Sequence, residues 1–303
     1  MLRPSLEEIH RTREQIASLL RPTPVKQVGP AFLKLESLQP TGSFKVRGFA
    51  GVALGLSDAE RADGLLTVSA GNAALACAWI ARQCGVPCRV FMFDTAPAVK
   101  ADGVRALGAE VVPLPRRELL DWMENEGWRT ERGHFIHPFA DVVTGHGSCG
   151  LELLEQIPDL ERVVVPVGGG GLISGIASAI KAVKPDVEIV GVQSEGYPMW
   201  PRVFEAGGPV DLEPKTIADG TAGPFHRGMF ELLPTLVDRW VLVPEASLRH
   251  AVRELAMTHK LVVEGAGALP FAALDQLPTD ETTAVVISGG NIDATLLAEI
   301  LRG

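Results

Sequence analysis

The stretch Arg162-Val163-Val164-Val165-Pro166-Val167 runs straight into Gly168-Gly169-Gly170-Gly171 and then into the apolar segment Leu172–Val183, and it constrains this chain most. A strand that is apolar on both faces needs cover on both, and a helix entered through glycines supplies part of that cover. The same order of short strand, small-residue turn and helix recurs. Leu65–Val68, Ser69-Ala70-Gly71-Asn72 and Ala73–Gln83 form one unit, Cys88–Phe93 with Pro97–Leu107 the next, and Glu110–Pro113 with Arg116–Arg129 a third, before a strand at His134–Ile136. Gly147–Gln156 reads as a helix and Val187–Val192 as a strand. Trp240–Val243, Leu248–His259, Gly265–Leu274, Thr283–Ile287 and Asn291–Leu301 read as strand, helix, helix, strand and helix, whereas residues 197–234 are rich in Pro and Gly and hold short helices and loops. Such alternation predicts an α/β protein with mainly parallel sheets and helices on both faces. At the start of the chain, residues 5–20 read as an amphipathic helix capped by Ser5 and ended by Arg21-Pro22-Thr23-Pro24, and Ala31–Glu36 alternates like a strand.

Glycines between a buried strand and a helix turn backbone N–H groups toward an anion, and the helix dipole adds to the attraction. A dinucleotide site needs G-x-G-x-x-G, yet counting from Gly168 meets Ile173, from Gly169 meets Ser174, and from Gly170 meets Leu172 where the second glycine belongs. No GK[ST] follows either. The run therefore fits a monophosphate better than a nucleotide. Two more turns open from buried strands onto small polar residues, Ser69–Asn72 and Ser288-Gly289-Gly290-Asn291. In parallel sheets such turns gather at the carboxyl ends of strands, where ligands bind.

A lysine stands in a fourth special place. Gln39-Pro40-Thr41-Gly42 is a turn, Ser43 can serve as N-cap, and Phe44–Leu56 continues as a largely buried helix with Lys45 just inside it. Phe44 and Val46 flank Lys45. A buried ammonium is costly unless paired, neutralised or consumed in a covalent bond, which makes Lys45 a candidate Schiff-base lysine; the alternative is a lysine that carries its head to solvent.

The 303 residues carry a net charge of −9 and a pI near 5.3, which argues against nucleic acid or an anionic membrane as partner and leaves small molecules. No apolar run reaches bilayer length, and Met1–Glu8 shows no signal-peptide core, so a cytoplasmic protein is expected. Cys77, Cys84, Cys88 and Cys149 form no CxxC pair and no zinc pattern, and read as buried free thiols; no metal site is expected. His137, His146 and His226 lie near turns and read as capping or surface residues, and Arg47 is expected to pair with a carboxylate or carbonyl near the site.

Taken together, Lys34-Leu35-Glu36 with Gln39–Gly48, Ser69–Asn72, Gly168–Leu172, Thr216-Ile217-Ala218-Asp219-Gly220, Glu264-Gly265-Ala266-Gly267-Ala268 and Ser288–Asn291 resemble the fold-type II pyridoxal-phosphate enzymes, in particular the threonine/serine dehydratase and serine racemase branch. The segments occur in family order from about residue 20 to the end of the chain. The resemblance implies two domains with twisted, mainly parallel sheets: a large cofactor-binding one at 1–45 and 140–303, and a small inserted one at 46–139. It implies that Lys45 holds pyridoxal 5'-phosphate as an internal aldimine and serves as base at Cα, that Phe44 packs on the pyridine ring, and that Gly168, Gly169, Gly170, Gly171 and Leu172 cradle the phosphate. Asn72 is then the partner of the ring hydroxyl, Ser69, Ala70, Gly71 and Asn72 grip the substrate carboxylate, and Ser288 faces the pyridine nitrogen. A hydroxyl there disfavours a long-lived quinonoid and suits β-elimination. The reaction implied is loss of water from a β-hydroxy amino acid such as L-threonine or L-serine, giving a 2-oxo acid and ammonia. The alternatives are cysteine synthase-like β-replacement and a cofactor-binding protein with little turnover.

The departures from the family pattern carry expectations too. Ala73 and Leu75 replace the usual His and Gln, which points to a more apolar cofactor rim. Ala70 replaces the racemase serine, so little racemisation is expected. Gln193 replaces the glutamate of the racemase metal site. A homodimer is expected from the branch, and feedback by isoleucine is not, since no regulatory domain follows Gly303.

Overall fold

The computed structural model describes residues 3–303; Met1 and Leu2, part of the N-terminal stretch read for a signal peptide, lie outside the described residues. The chain begins with α1 (Leu6–Ile16), β1 (Val25–Val28), β2 (Ala31–Lys34), α2 (Lys45–Gly55) and α3 (Asp58–Ala62). A strand-helix alternation follows through β3 (Leu65–Val68), α4 (Asn72–Cys84), β4 (Cys88–Phe93), α5 (Ala98–Ala106), β5 (Glu110–Leu114), α6 (Arg116–Glu124) and β6 (His134–Phe135). Next come α7 (Val143–Gln156), β7 (Arg162–Pro166), α8 (Gly171–Val183), β8 (Glu188–Ser194), α9 (Met199–Ala206) and α10 (Arg227–Leu232). The chain closes with β9 (Arg239–Val243), α11 (Glu245–Met257), α12 (Gly265–Ala272), β10 (Thr283–Val286) and α13 (Ala294–Arg302).

These strands form two sheets. One has the order β1-β2-β10-β7-β8-β9 and the other β5-β4-β3-β6, and every pairing is parallel except β1 with β2. β7 and β10 are buried throughout, as strands between two helical layers must be. On one side of the larger sheet α7 and α8 pack with Val163, Val165, Ile173 and Ile176, while α11 and α12 cover the other with Val164, Val190, Leu248 and Leu269. The smaller sheet has its own cluster, in which Val46, Phe49, Ala74, Ile80, Val90 and Ile136 are buried. That is the α/β architecture with two mainly parallel sheets that the alternation predicts.

Several boundaries differ from the sequence expectation for physical reasons. Ser5 and Glu8 form the expected capping box, yet α1 stops at Ile16, whose carbonyl takes the amides of Leu19 and Leu20 in a closing turn. Ser43 does not cap α2: its residue bridges to Gly289, its hydroxyl is buried without a partner, and Phe44 already has helical dihedrals. The segment 116–129 is broken by Glu126, whose φ of 51° ends α6 and starts a 3-10 turn at Gly127–Thr130. α7 starts at Val143, before the expected Gly147; Gly145 and Gly147 hide it, because each is a site of close packing, against Arg47 and Ile9 respectively. The last helix starts at Ala294 because Asp293 Oδ1 accepts the amides of Thr295 (2.8 Å) and Leu296 (2.9 Å). β1 has no apolar alternation in its Val-Lys-Gln-Val sequence and is an edge strand, which sequence patterning missed.

Candidate active site

Lys45 opens α2 at the level where the glycine-bordered turns meet. Its Nζ donates to the carbonyl of Pro138 (2.9 Å) and lies 5.1 Å from the Phe44 ring centroid. No carboxylate pairs with it directly among the described residues. Burial pushes the ammonium down to about 8, against the attraction of Glu264. The lysine is therefore a partly buried, readily deprotonated amine, and it does not carry its head to solvent.

What holds it there is a buried ion network on the same helix. Arg47 engages Glu36 through Nε (2.6 Å) and Nη2 (2.8 Å), and Glu152 through Nη1 (2.6 Å) and Nη2 (2.7 Å). Lys34 pairs with Glu152 and donates to Thr23 O (2.8 Å) and Gln156 Oε1 (2.8 Å). So the expected carboxylate for Arg47 exists twice over, on the segment after β2 and on α7.

Two helix N-termini carry amides that bond nothing among the described residues. At α8, the amides of Gly168, Gly169, Gly170, Gly171 and Leu172 donate to nothing within the described protein. The loop is fixed by its carbonyls and its glycines: Trp200 Nε1 donates to Gly168 O (2.6 Å), Gly170 has φ 94°, and a Cβ on Gly169 would stand 2.6 Å from the Phe139 ring. Free amides at a helix N-terminus, in a cup where side chains do not fit, suit a phosphate group. At α4, Gly71 N bonds the Ser69 hydroxyl (3.0 Å), while the amides of Ala70, Asn72 and Ala73 have no acceptor within the described protein. That is the arrangement a carboxylate requires.

The third turn ties these parts together. Phe44 N donates to Ser288 O (2.9 Å), Gly290 N to Gly42 O (2.9 Å), and Asn291 Nδ2 to Thr41 O (2.8 Å) and Asn72 Oδ1 (2.7 Å). Asn72 Nδ2 in turn donates to Glu264 Oε1 (2.7 Å). Glu264 belongs to the site although sequence reasoning gave it no role; a glutamate after Leu261-Val262-Val263 and before a glycine helix was the available signal. Burial and Asp219 push its carboxyl up to about 7, against the Asn72 hydrogen bond.

Other residues fall differently. His146 is fully buried with both ring nitrogens lacking a hydrogen bond of normal geometry, although the Gly171 backbone faces it; its ring stands 4.8 Å from that of Phe44, so it is neither a cap nor a surface residue. Burial holds it well below the usual histidine range and keeps it neutral. His137 is a cap, its Nδ1 accepting the amide of Ala140 (3.2 Å), and burial with His226 and Lys45 nearby lowers it to about 4. His226 is half-buried beside it, at a ring distance of 5.6 Å. Ala73 is buried in the cluster of the smaller sheet, and Leu75 packs partly against it. Cys77, Cys88 and Cys149 are buried free thiols, but Cys84 is partly exposed. Gln193 is committed to structure, donating to Val167 O (2.9 Å) and accepting from Trp200 N (2.8 Å).

A readily deprotonated lysine, together with two helix N-termini whose amides are unused, fits pyridoxal phosphate, whose aldehyde and phosphate such groups complement. Residues 16–289 match the family of pyridoxal-phosphate dependent enzymes. An L-threonine ammonia-lyase of Thermotoga maritima is 40% identical, covering 97% of this chain and 74% of its own length. Maize serine racemase superposes with a TM-score of 0.90 at 28% identity, over 99% of this chain and 98% of the other. The threonine deaminase of T.th. is 37% identical with a TM-score of 0.83, over 96% of this chain and 99% of the other.

Proposed function

The chain belongs to the pyridoxal-phosphate dependent enzymes, in the fold-type II threonine/serine dehydratase branch, and from that premise we infer that it is an ammonia-lyase that removes water from L-threonine, L-serine or a related hydroxy amino acid. The products are a 2-oxo acid and ammonia. Pyridoxal phosphate supplies an electron sink for the bond broken at Cα. The observation that carries the reading is Lys45 itself, buried, held by one carbonyl and paired directly with no carboxylate among the described residues.

Each residue then has a task. Lys45 would hold the cofactor and, as a free amine, take the Cα proton; burial, which pushes it down to about 8, favours that form near neutral pH. The amides of Gly168 to Leu172 would hold the phosphate, and Phe44 would pack against the ring. The amides of Ala70, Asn72 and Ala73 orient the substrate carboxylate, which sets the Cα–H bond against Lys45. Asn72 would supply a partner for the ring hydroxyl, and Ser288 one for the ring nitrogen that lacks the full charge of a carboxylate. We further propose the division into a small inserted domain at 46–139 and a large one at 1–45 and 140–303, and a cytoplasmic homodimer. No helix among the described residues is long and apolar enough to cross a membrane.

Release of 2-oxo acid across a panel of hydroxy amino acids tests the reading. The expected result is a coloured protein that releases 2-oxobutanoate from L-threonine or pyruvate from L-serine. A colourless protein, or one that releases little 2-oxo acid and forms a thioether amino acid once a thiol is added, overturns it, the latter in favour of β-replacement.

A further inference from the structure

Glu264 precedes α12 at the N-cap position, where a carboxylate ordinarily bonds the first amides of its own helix. Its side chain makes no such bond. It reaches toward the smaller sheet instead, and Oε1 accepts from Asn72 Nδ2 (2.7 Å). Asn72 Oδ1 is taken by Asn291 Nδ2 (2.7 Å), so both ends of the Asn72 amide are engaged and its orientation is fixed. The backbone makes room for the carboxyl: a Cβ on Gly289 would collide with Glu264 Oε1, and Gly265 is itself pressed against Ile217 O. Glu264 is only 6% exposed. A residue serving its own helix would not be buried against another unit's amide.

The charged groups that face it come from several elements. Lys45 approaches from α2, Lys100 from α5, and Asp219 from the 3-10 turn Asp219–Thr221, with Lys100 Nζ 3.1 Å from Asp219 Oδ2. Asn72 on α4 and Asn291 supply neutral polar contact.

We propose that Glu264 is the positioning and proton-holding residue of this site: it fixes the Asn72 amide, and its charge governs the proton on Lys45. The proposal rests on the reading of Lys45 as the cofactor lysine. Its sign follows from Coulomb attraction, since an ionised carboxylate retains the ammonium and a protonated one releases the amine. Burial pushes Glu264 up to about 7 and Lys45 down to about 8, and the attraction of Glu264 for the Lys45 ammonium links the two protons. The neutral amine, which captures an aldehyde, is then available at lower pH when Glu264 carries no charge.

The experiment uses the full chain freed of cofactor. Reactivity of Lys45 toward an amine-selective reagent is followed against pH by peptide mapping, in parallel with uptake of added pyridoxal phosphate followed by visible colour. Wild-type reactivity is expected to rise over a broadened, two-proton curve. In Glu264→Gln the midpoint of both curves moves down by roughly one pH unit, and Glu264→Asp returns most of the shift. Asn291→Ala, which frees Asn72 but leaves the charge, weakens cofactor affinity without moving the Lys45 midpoint. A one-proton wild-type curve, a Glu264→Gln midpoint equal to wild type, or an equal shift in Asn291→Ala overturns the proposal. Failure of the cofactor reading looks different, because the protein then stays colourless at every pH while the labelling curves still report on Glu264.

Discussion

Arg47 Nε and Nη2 clasp the two oxygens of Glu36 at 2.6 and 2.8 Å, with both side chains buried. This pair fixes the rotation of α2 two residues beyond Lys45, and the second grip of Arg47 on Glu152 binds the same helix to α7. A lone buried charge costs far more than a pair, so removing one member exposes the whole network. Arg47→Met is expected to destabilise the fold by about 3–5 kcal/mol, read as a fall in the thermal midpoint. Arg47→Lys recovers little of it, because an ammonium cannot form two planar bidentate contacts.

The acid limb of stability should carry the same signature. Burial alone would raise the Glu36 carboxyl, but Arg47 pulls it down to about 2, below its ordinary value of 4.5. A depressed carboxylate contributes stability that is complete above the unfolded value and is lost as pH falls through the folded one. Urea midpoints measured at successive pH values should fall between about 4.5 and 2. In Glu36→Gln that fall is shallower and the starting stability lower.

The sequence showed more of the site's backbone than of its side-chain chemistry. Val163–Val167 and the glycines after it announce a buried strand that opens onto a helix, and the strand and the helix lie there. Arg47's carboxylates lie 11 and 105 positions away along the chain, which no local pattern reveals. Ser43 looked like a cap because its sequence context is right, but Gly289 arrives from the last parallel strand and claims its backbone. His146 read as a turn residue because two glycines disguise the helix that buries it.

Lys45→Ala is expected to give a colourless protein with 2-oxo acid release down by several orders of magnitude and a thermal midpoint no lower than wild type. The last clause follows from burial: the ammonium has one carbonyl partner and is pushed down to about 8, so its removal relieves a desolvation cost. Visible absorbance and a melting curve check both halves. A large loss of stability would mean that Lys45 is structural.

Gly169→Ala sets a methyl group 2.6 Å from the Phe139 ring, and Phe139 lies next to Pro138, whose carbonyl holds Lys45. Overpacking of this kind costs about 1–3 kcal/mol; if it is spent on the cup, cofactor affinity falls by roughly ten- to a hundredfold. Adding Phe139→Ala should return part of the loss, since the ring is what the methyl meets. A double-mutant cycle on cofactor dissociation measures this, and strictly additive effects would deny that the ring and the glycine loop are coupled.

Ala70→Ser tests the proposal that position 70 lies across the substrate from Lys45. The Ala70 amide is one of the unused donors at the α4 N-terminus, and its methyl group packs partly on the apolar cluster of the smaller sheet. Lys45 therefore moves protons on its own side, and a methyl offers none on the other, so the wild type should form very little D-serine from L-serine. A hydroxyl in place of one hydrogen adds little volume at a half-buried position and supplies a group able to exchange a proton. General acid–base catalysis by a positioned group contributes roughly 10²–10⁴. D-serine formation, followed by chiral chromatography, should thus rise by about 10² or more in the variant while elimination continues. Incorporation of solvent deuterium into recovered L-serine separates the two faces: exchange on the Lys45 side is present in both proteins, and inversion with deuterium appears only when position 70 bears the hydroxyl. If the variant exchanges but never inverts, the α4 turn does not lie across the substrate from Lys45, and the carboxylate grip assigned to Ala70, Asn72 and Ala73 falls with it.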